Sequence, residues 1–208
     1  MRITGGTLRG REIRVPGGAV RPTQDKVRAA IFSALGGFAA GARTLDLFAG
    51  SGALGLEAWS RGAADVCWVE RDRRVLAMLQ DNVRRLCPDG GTRAQCRAQD
   101  AFRFLAQQAA PPAGGAPAAA GRWDLVLADP PYDRTGTARW LEKTLPALEA
   151  GSMLRSGGLL VFEAGADEPP VARPGWSLLW DRTYGGTRVA MYRREAPAPP
   201  PANGTESG

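Results

Sequence analysis

Four consecutive residues, Asp129-Pro130-Pro131-Tyr132, follow an apolar run, Trp123-Asp124-Leu125-Val126-Leu127-Ala128, that reads as a buried strand. An acid, two prolines and an aromatic at the C-terminal edge of a strand make a rigid cup. Proline fixes φ and has no N–H, so the carbonyls of Asp129 and Pro130 can accept hydrogen bonds from a ligand's amino group. The Tyr132 ring can stack on a planar base. Acceptors beside an aromatic plate suit the exocyclic NH2 of a nucleobase. The same tetrapeptide would also serve as a proline-stiffened turn with a helix-capping Asp, so its meaning depends on what else reaches that edge.

About 80 residues upstream lies the chain's one Gly-rich nucleotide loop, Phe48-Ala49-Gly50-Ser51-Gly52-Ala53-Leu54-Gly55. Its glycines let the backbone turn tightly and approach a ligand, and the helix that follows offers free N–H groups. Glu70, twenty residues after Gly50, ends the next strand pattern, where it can accept both hydroxyls of a ribose. That pattern serves NAD and S-adenosylmethionine alike. Three features favour S-adenosylmethionine. Asp46 sits inside the first strand, where a carboxylate suits a cationic amino acid end and would oppose a pyrophosphate. Asp100 ends the third strand, within reach of an adenine amino group. The fourth strand then delivers the Asp129 cup. Each acid alone reads as a solvated charge or a helix cap; four at strand ends point to the ligand edge of an open parallel sheet.

These residues need elements to hold them. Met1–Thr4 and Arg11–Val15, around Gly5-Gly6 and Gly10, suggest a short hairpin. A helix follows Arg21-Pro22-Thr23, with Thr23 as N-cap and Val27, Ala30, Ile31, Ala34 and Leu35 as its apolar stripe. Strands are expected at 44–48, 66–69, 93–98, 123–128 and 158–163, with a terminal hairpin from 176–181 and 188–192. Helices are expected at 52–61, from Asp72 to Leu86, at 101–107 and at 137–149. The alternation predicts an α/β fold with a mainly parallel, seven-stranded sheet covered by helices on both faces. Residues 1–38 read as a basic hairpin and helix outside the alternating core, 39–194 as the catalytic domain and 195–208 as a disordered tail. The Ala/Pro/Gly-rich stretch at 109–121 reads as a surface loop.

Composition narrows the chemistry. The 208 residues carry no histidine, which excludes a His base, a His-ligated metal and a Ser-His-Asp hydrolase; no metal site is expected. Cys67, Cys87 and Cys96 lack ligand spacing and read as reduced thiols of a cytoplasmic protein. A mean hydropathy of −0.24, no long apolar run and no signal-peptide h-region fit a protein away from membranes. The net charge is +6, and residues 1–30 hold +5 of it. Such a concentration, in Arg2, Arg9, Arg11, Arg14, Arg21, Lys26 and Arg28, suggests an arm that meets phosphates. A solvated basic face is the alternative, since 25 of the 27 basic residues are arginine.

Over residues 2 to 194 the chain resembles a known family. Asp46-x-Phe48-Ala49-Gly50-Ser51-Gly52-Ala53-Leu54-Gly55 together with Asp129-Pro130-Pro131-Tyr132 resembles the Rossmann-like methyltransferases that modify base amino groups. Arg2-Ile3-x-Gly5-Gly6-x-x-Arg9-Gly10-Arg11, followed by Arg21-Pro22-Thr23-x-Asp25-x-Val27-Arg28, is similar to the bacterial 16S ribosomal RNA guanine-N2 methyltransferases of the small-subunit head. The resemblance implies S-adenosylmethionine as cofactor, held by Asp46, Phe48, Gly50, Ser51, Gly52, Gly55, Glu70 and Asp100. It implies catalysis by Asp129, Pro130, Pro131 and Tyr132, and RNA contact by Arg9, Arg11, Arg14, Arg21, Thr23 and Arg28. The implied partner is 16S rRNA in an assembled or assembling 30S particle, met by a cytoplasmic monomer. The stretch at 109–121 and the proline tail depart from the family pattern. Three other classes stay open: an NAD-dependent oxidoreductase, which the lack of histidine, of a Tyr-x-x-x-Lys pair and the acid at Asp46 oppose; a silent RNA-binding module; and a methyltransferase acting on DNA adenine or on another rRNA base through the same cup.

Overall fold

The computed structural model describes residues 1–15, 25–109, 122–131, 138–150 and 152–196. The expected roles of Arg21, Thr23 and Tyr132 fall outside them, as do most of the 109–121 stretch and the residues beyond 196. In chain order the elements are α1 (Asp25–Leu35), β1 (Arg43–Leu47), α2 (Ala53–Ser60), β2 (Asp65–Glu70), α3 (Arg73–Leu86), β3 (Ala94–Ala98), α4 (Ala101–Ala109), β4 (Trp123–Ala128), α5 (Trp140–Glu149), β5 (Leu154–Gly165), β6 (Trp176–Tyr184) and β7 (Thr187–Arg194). The seven strands form one sheet in the order β3-β2-β1-β4-β5-β7-β6, and only β7 runs antiparallel to its neighbours. This is a Rossmann-like α/β fold.

The central strands are apolar on both faces because helices cover both. Leu125 and Leu127 of β4 join one cluster with α1, α2 and α3, while Val126 and Ala128 join a second with α4 and α5. The two-residue period of a strand alone sorts them. Trp68 of β2, fully buried, is the largest side chain in the first cluster. Burial pushes the thiols of Cys67, Cys87 and Cys96 up to about 11, 12 and 11, so none is ionised near neutral pH. No helix among the described residues is long and apolar enough to cross a membrane.

Strand order fixes where a ligand can sit. From β1 the chain winds outward through β2 and β3, then returns to place β4 on the other side of β1. At such a switch point the loops leaving two neighbouring strands diverge and open a crevice. Leu47 lies opposite Ala128 in the β1–β4 pairing, so the Gly-rich loop and the Asp129 turn leave the sheet side by side.

Two expectations need correction. β5 begins four residues earlier than the pattern predicts, because the strand continues through Gly157-Gly158 with a bulge: Trp123 pairs with Leu154, but Leu125 pairs with Leu159. The N-terminal segment is also no appendage. Its hairpin shrinks to a single bridge, Arg2 to Glu12, and Ile3 and Ile13 are buried in the same cluster as Val27 and Ile31. The segment also caps α2. The Thr7 N–H donates to the Ser60 carbonyl at 2.7 Å, satisfying a group that a helix end leaves open. Only glycine fits at position 6: its φ is +75°, and a Cβ there would stand 1.9 Å from the Ser60 carbonyl oxygen.

Arg28 also takes a different place from the one its charge suggests. It shares the inward stripe of α1 with Val27, Ile31, Phe32 and Leu35, and its side chain is wholly buried. Its guanidinium donates to Glu57 at 3.2 Å and to Asp25 at 2.9 Å, and also to the Arg2 carbonyl. Glu57, equally buried, accepts further bonds from the Thr4 N–H (2.8 Å), the Thr4 hydroxyl (2.7 Å) and Arg61 (2.9 Å). Arg28 therefore fastens the N-terminal segment to α2 and does not face RNA. Replacing Arg28 with Ala breaks a buried ion pair from one side, and is expected to reduce the unfolding free energy by about 3–5 kcal/mol. Urea denaturation checks this; a loss near that of a surface pair, under about 1 kcal/mol, would return Arg28 to the surface.

Candidate active site

The loop after β1 is built to stay open on one side. Phe48, the first residue past the strand, adopts φ +58°, a left-handed conformation that costs a non-glycine residue about 1–2 kcal/mol. Edge-to-face contacts with Phe102 and Trp140, at 5.9 and 5.7 Å between ring centres, hold it there. The three glycines of the loop have different tasks. Gly50 has φ +54°, and a Cβ there would meet only the Phe48 carbonyl, at 3.9 Å. Its open face is free for a ligand. Cβ atoms on Gly52 and Gly55 would fall 2.3 Å from Leu79 and 2.2 Å from the Trp68 ring. These two glycines let α2 pack against β2 and α3, a packing demand on both positions that is independent of any ligand. Helix α2 has no side-chain cap at its N-terminus, leaving N–H groups that favour an anion or a lone pair.

Three acids converge on this crevice. Asp46, the penultimate residue of β1, is buried and accepts the Gly55 N–H at 2.8 Å. Burial pushes its carboxyl well above the ordinary range; the Gly55 N–H opposes that shift, and the nearby Asp129 and Glu70 charges add to it. Glu70 accepts the N–H of Gly50 at 2.9 Å and that of Asp72 at 2.7 Å, one on each oxygen. The loop and the start of α3 thus hold its carboxylate in place. With roughly four lone-pair sites on a carboxylate, acceptor capacity remains for a diol. Asp129 and Pro130 leave β4 half-buried and buried, with Pro131 exposed. Asp100 takes the N–H groups of Phe102 and Arg103 at 3.0 and 3.1 Å, as a cap of α4, with its carboxylate at the same edge of the sheet.

The carboxyls of Asp46, Glu70 and Asp129 lie close enough to act on one another and together favour a cationic ligand, and the open face at Gly50 leaves room beside Glu70. The residues present fit S-adenosylmethionine, whose amino acid end and sulfonium carry positive charge. They fit a dinucleotide less well, because Asp46 would oppose its pyrophosphate. Among the described residues no group of His, Cys, Asp and Glu could hold a metal ion.

Two aromatic residues and an amide escaped the sequence reading. Trp140 donates its indole N–H to the Pro131 carbonyl at 3.1 Å, bracing the cup. Its ring lies parallel to Phe102, 7° apart in plane and 6.0 Å between centres. The signal for both was position, since each opens a helix at the ligand edge. Asn82 is fully buried on α3 between Leu79, Val83 and Leu86; an amide within an apolar stripe was the visible clue. On the N-terminal segment Arg9, Arg11 and Arg14 are exposed, but Arg14 pairs with Asp81, so its charge is partly neutralised.

The conserved hypothetical protein 95 family model matches residues 1–193. The chain belongs to this family. It is 36% identical over 198 residues to ribosomal RNA small subunit methyltransferase D of Escherichia coli K12, covering 94% of this chain and 91% of that protein. Against the protein of the same description from Haemophilus influenzae the identity is 31%, covering 93% of each. The solved structure of yhhF from E. coli superposes with a TM-score of 0.77 at 35% identity, over 95% of this chain and 99% of that one. The similarity spans the N-terminal segment as well as the sheet, in keeping with their shared core.

The buried Asp46 generates a prediction. A carboxyl whose pKa is raised by folding stabilises the fold below its unfolded pKa, and that contribution is lost as pH rises through the folded value. Binding of a cation to the carboxylate strengthens over the same interval. Asp46→Asn is therefore expected to raise the ligand-free melting temperature at neutral pH. It should weaken S-adenosylhomocysteine binding, through its ammonium group, by about 1.5–3 kcal/mol. Thermal melts from acid to neutral pH, with calorimetry, read both effects; an unchanged melt and an unchanged affinity would remove Asp46 from the site.

Proposed function

We propose that this protein transfers a methyl group from S-adenosylmethionine to the exocyclic N2 of a guanine in 16S rRNA, within an assembled or assembling small subunit. One observation carries the reading: β1 and β4 pair so that the Gly-rich loop, with Asp46 and Glu70 behind it, opens directly beside the Asp129-Pro130-Pro131 turn. Cofactor groups and amino-group acceptors thus share one crevice. The similarity to small subunit methyltransferase D proteins supports rRNA as the substrate class.

When bound, S-adenosylmethionine would supply an electrophilic methyl group. Asp46 would hold its charged amino acid end, Glu70 the ribose hydroxyls and Asp100 the adenine amino group. The guanine amino nitrogen is a weak nucleophile because its lone pair is delocalised into the ring. The Asp129 carboxylate and the Pro130 carbonyl each accept one of its hydrogens and turn the lone pair toward the methyl donor. In-line displacement then relies on alignment and field more than on a strong base. Asp129 is positioned to take the proton that the amino group loses. Tyr132 is assigned the base-stacking face by its place in the tetrapeptide. Trp140, by holding the Pro131 carbonyl, keeps the turn rigid.

Asp129→Ala is expected to lower the methyl-transfer rate at least a hundredfold, about 3 kcal/mol of transition-state stabilisation, with S-adenosylhomocysteine affinity nearly unchanged. Single-turnover transfer of a radiolabelled methyl group into unmodified small subunits measures the rate. A wild-type rate, or lost cofactor binding, would contradict the assignment.

The exposed arginines supply the phosphate contacts in this reading. Neutralising Arg9 and Arg11 together should weaken 30S binding and flatten the slope of log K against log salt by about 1.5, at 0.7–0.9 per lost contact. An unaltered slope would make them a solvated face only.

A further inference from the structure

Asn82 is the one side chain that touches both the N-terminal segment and the cofactor loop through hydrogen bonds recorded among the described residues. Its amide nitrogen donates to the Arg14 carbonyl at 2.8 Å and to the Ser51 carbonyl at 3.1 Å. Its oxygen accepts the Arg14 N–H at 3.0 Å and an Arg85 guanidinium N–H at 3.1 Å. Both donors and both lone pairs of the amide are used, and the residue is fully buried. Arg85 also donates to the Glu12 carbonyl at 2.8 Å. Leu79, one turn earlier on the same face of α3, closes over Gly52. The amide pairs with the Arg14 backbone as a neighbouring strand would, and spends its remaining N–H on the loop that holds the cofactor.

Leucine between Leu79 and Val83 would fill similar space but leave the Arg14 N–H and carbonyl and the Ser51 carbonyl without this partner. The geometry points to a positioning role. We propose that Asn82 couples the RNA-docking segment to the cofactor loop, so that cofactor and rRNA each strengthen the binding of the other. This rests on the reading of the site as an rRNA methyltransferase. Asn82 is the direct hydrogen-bonded link between segment 12–14 and residues 51–52. RNA seated on the exposed arginines restrains Arg14, and through Asn82 it restrains the Ser51 carbonyl before cofactor arrives. Ordering one side therefore lowers the ordering cost of the other, and linkage makes the effect reciprocal.

The test is retention of unmodified 30S subunits on filters, at one salt concentration, with and without saturating S-adenosylhomocysteine. Three variants are compared with wild type. Asn82→Leu removes every bond of the amide. Asn82→Asp keeps the acceptors but loses both donated bonds, including the one to Ser51. Val83→Ala leaves a cavity in the same helix without touching either partner, as a control for general loosening. The cofactor product should tighten 30S binding by wild type and by Val83→Ala about five- to tenfold, and that by either Asn82 variant less than about twofold. Either Asn82 variant keeping the wild-type ratio, or a wild-type ratio of one, overturns the coupling. Wild-type protein that retains no 30S subunits at that salt concentration, with or without the cofactor product, would instead overturn the rRNA reading itself, and the coupling with it.

Discussion

The hydrogen bond between the buried Asp46 carboxylate and the Gly55 N–H, 2.8 Å long, is the contact on which the rest of the crevice depends. It ties the end of the central strand to the first turn of α2. That turn in turn sets the Gly50–Gly52 loop. A carboxylate there is costly, since burial and the neighbouring acids all favour its protonated form. An asparagine could make the same bond at no electrostatic cost. In the proposed reading the acid is a group held ready for a positive ligand, its cost in stability offset when charge arrives.

A second constraint acts from the other end of α2. Glu57, itself fully buried, gathers Thr4, buried Arg28 and Arg61, and Ser60 receives the Gly5–Leu8 loop. With Asn82 above, the N-terminal segment is stitched to α2 and α3 by polar contacts on an apolar floor of Ile3 and Ile13. Such networks are high-stakes, because each buried polar group is costly when left alone. Here they fix the position of a basic segment relative to a cofactor loop, a relation that apolar packing alone would leave free to slide. The exposed side chains of Arg9 and Arg11 take no part in this stitching, whereas exposed Arg14 is paired with Asp81.

Much of this was legible in the sequence, for reasons that can be stated residue by residue. Strand β4 matched its predicted limits because an unbroken apolar run ends at Asp129-Pro130, where proline cannot continue a ladder. Helix α3 was clear from Leu76, Leu79, Val83 and Leu86, with Asp72 accepting the Arg74 and Val75 N–H groups as its cap. The placement of Asp46, Glu70 and Asp129 followed from strand ends. What the sequence hid was tertiary. Arg28 occupies an inward position on α1, but its charge suggested solvent; only the distant Glu57 explains its burial. Ile3 and Ile13 sit in too short a stretch for their period to signal a core. Gly157-Gly158 reads as a break, yet β5 runs through it by a bulge. The packing demand at Gly52 and Gly55 was also hidden, because nothing local reveals that Trp68 and Leu79 fill the space beside them.

The central claim is that the crevice between β1 and β4 joins a methyl donor to the amino group of a guanine in small-subunit rRNA. The direct measurement is nucleoside analysis, after digestion, of unmodified 30S subunits and of duplex DNA incubated with the protein and labelled S-adenosylmethionine. The account predicts label in N2-methylguanosine from the 30S rRNA and none in DNA. Label in N6-methyladenine of DNA, or in another rRNA nucleoside, would contradict it.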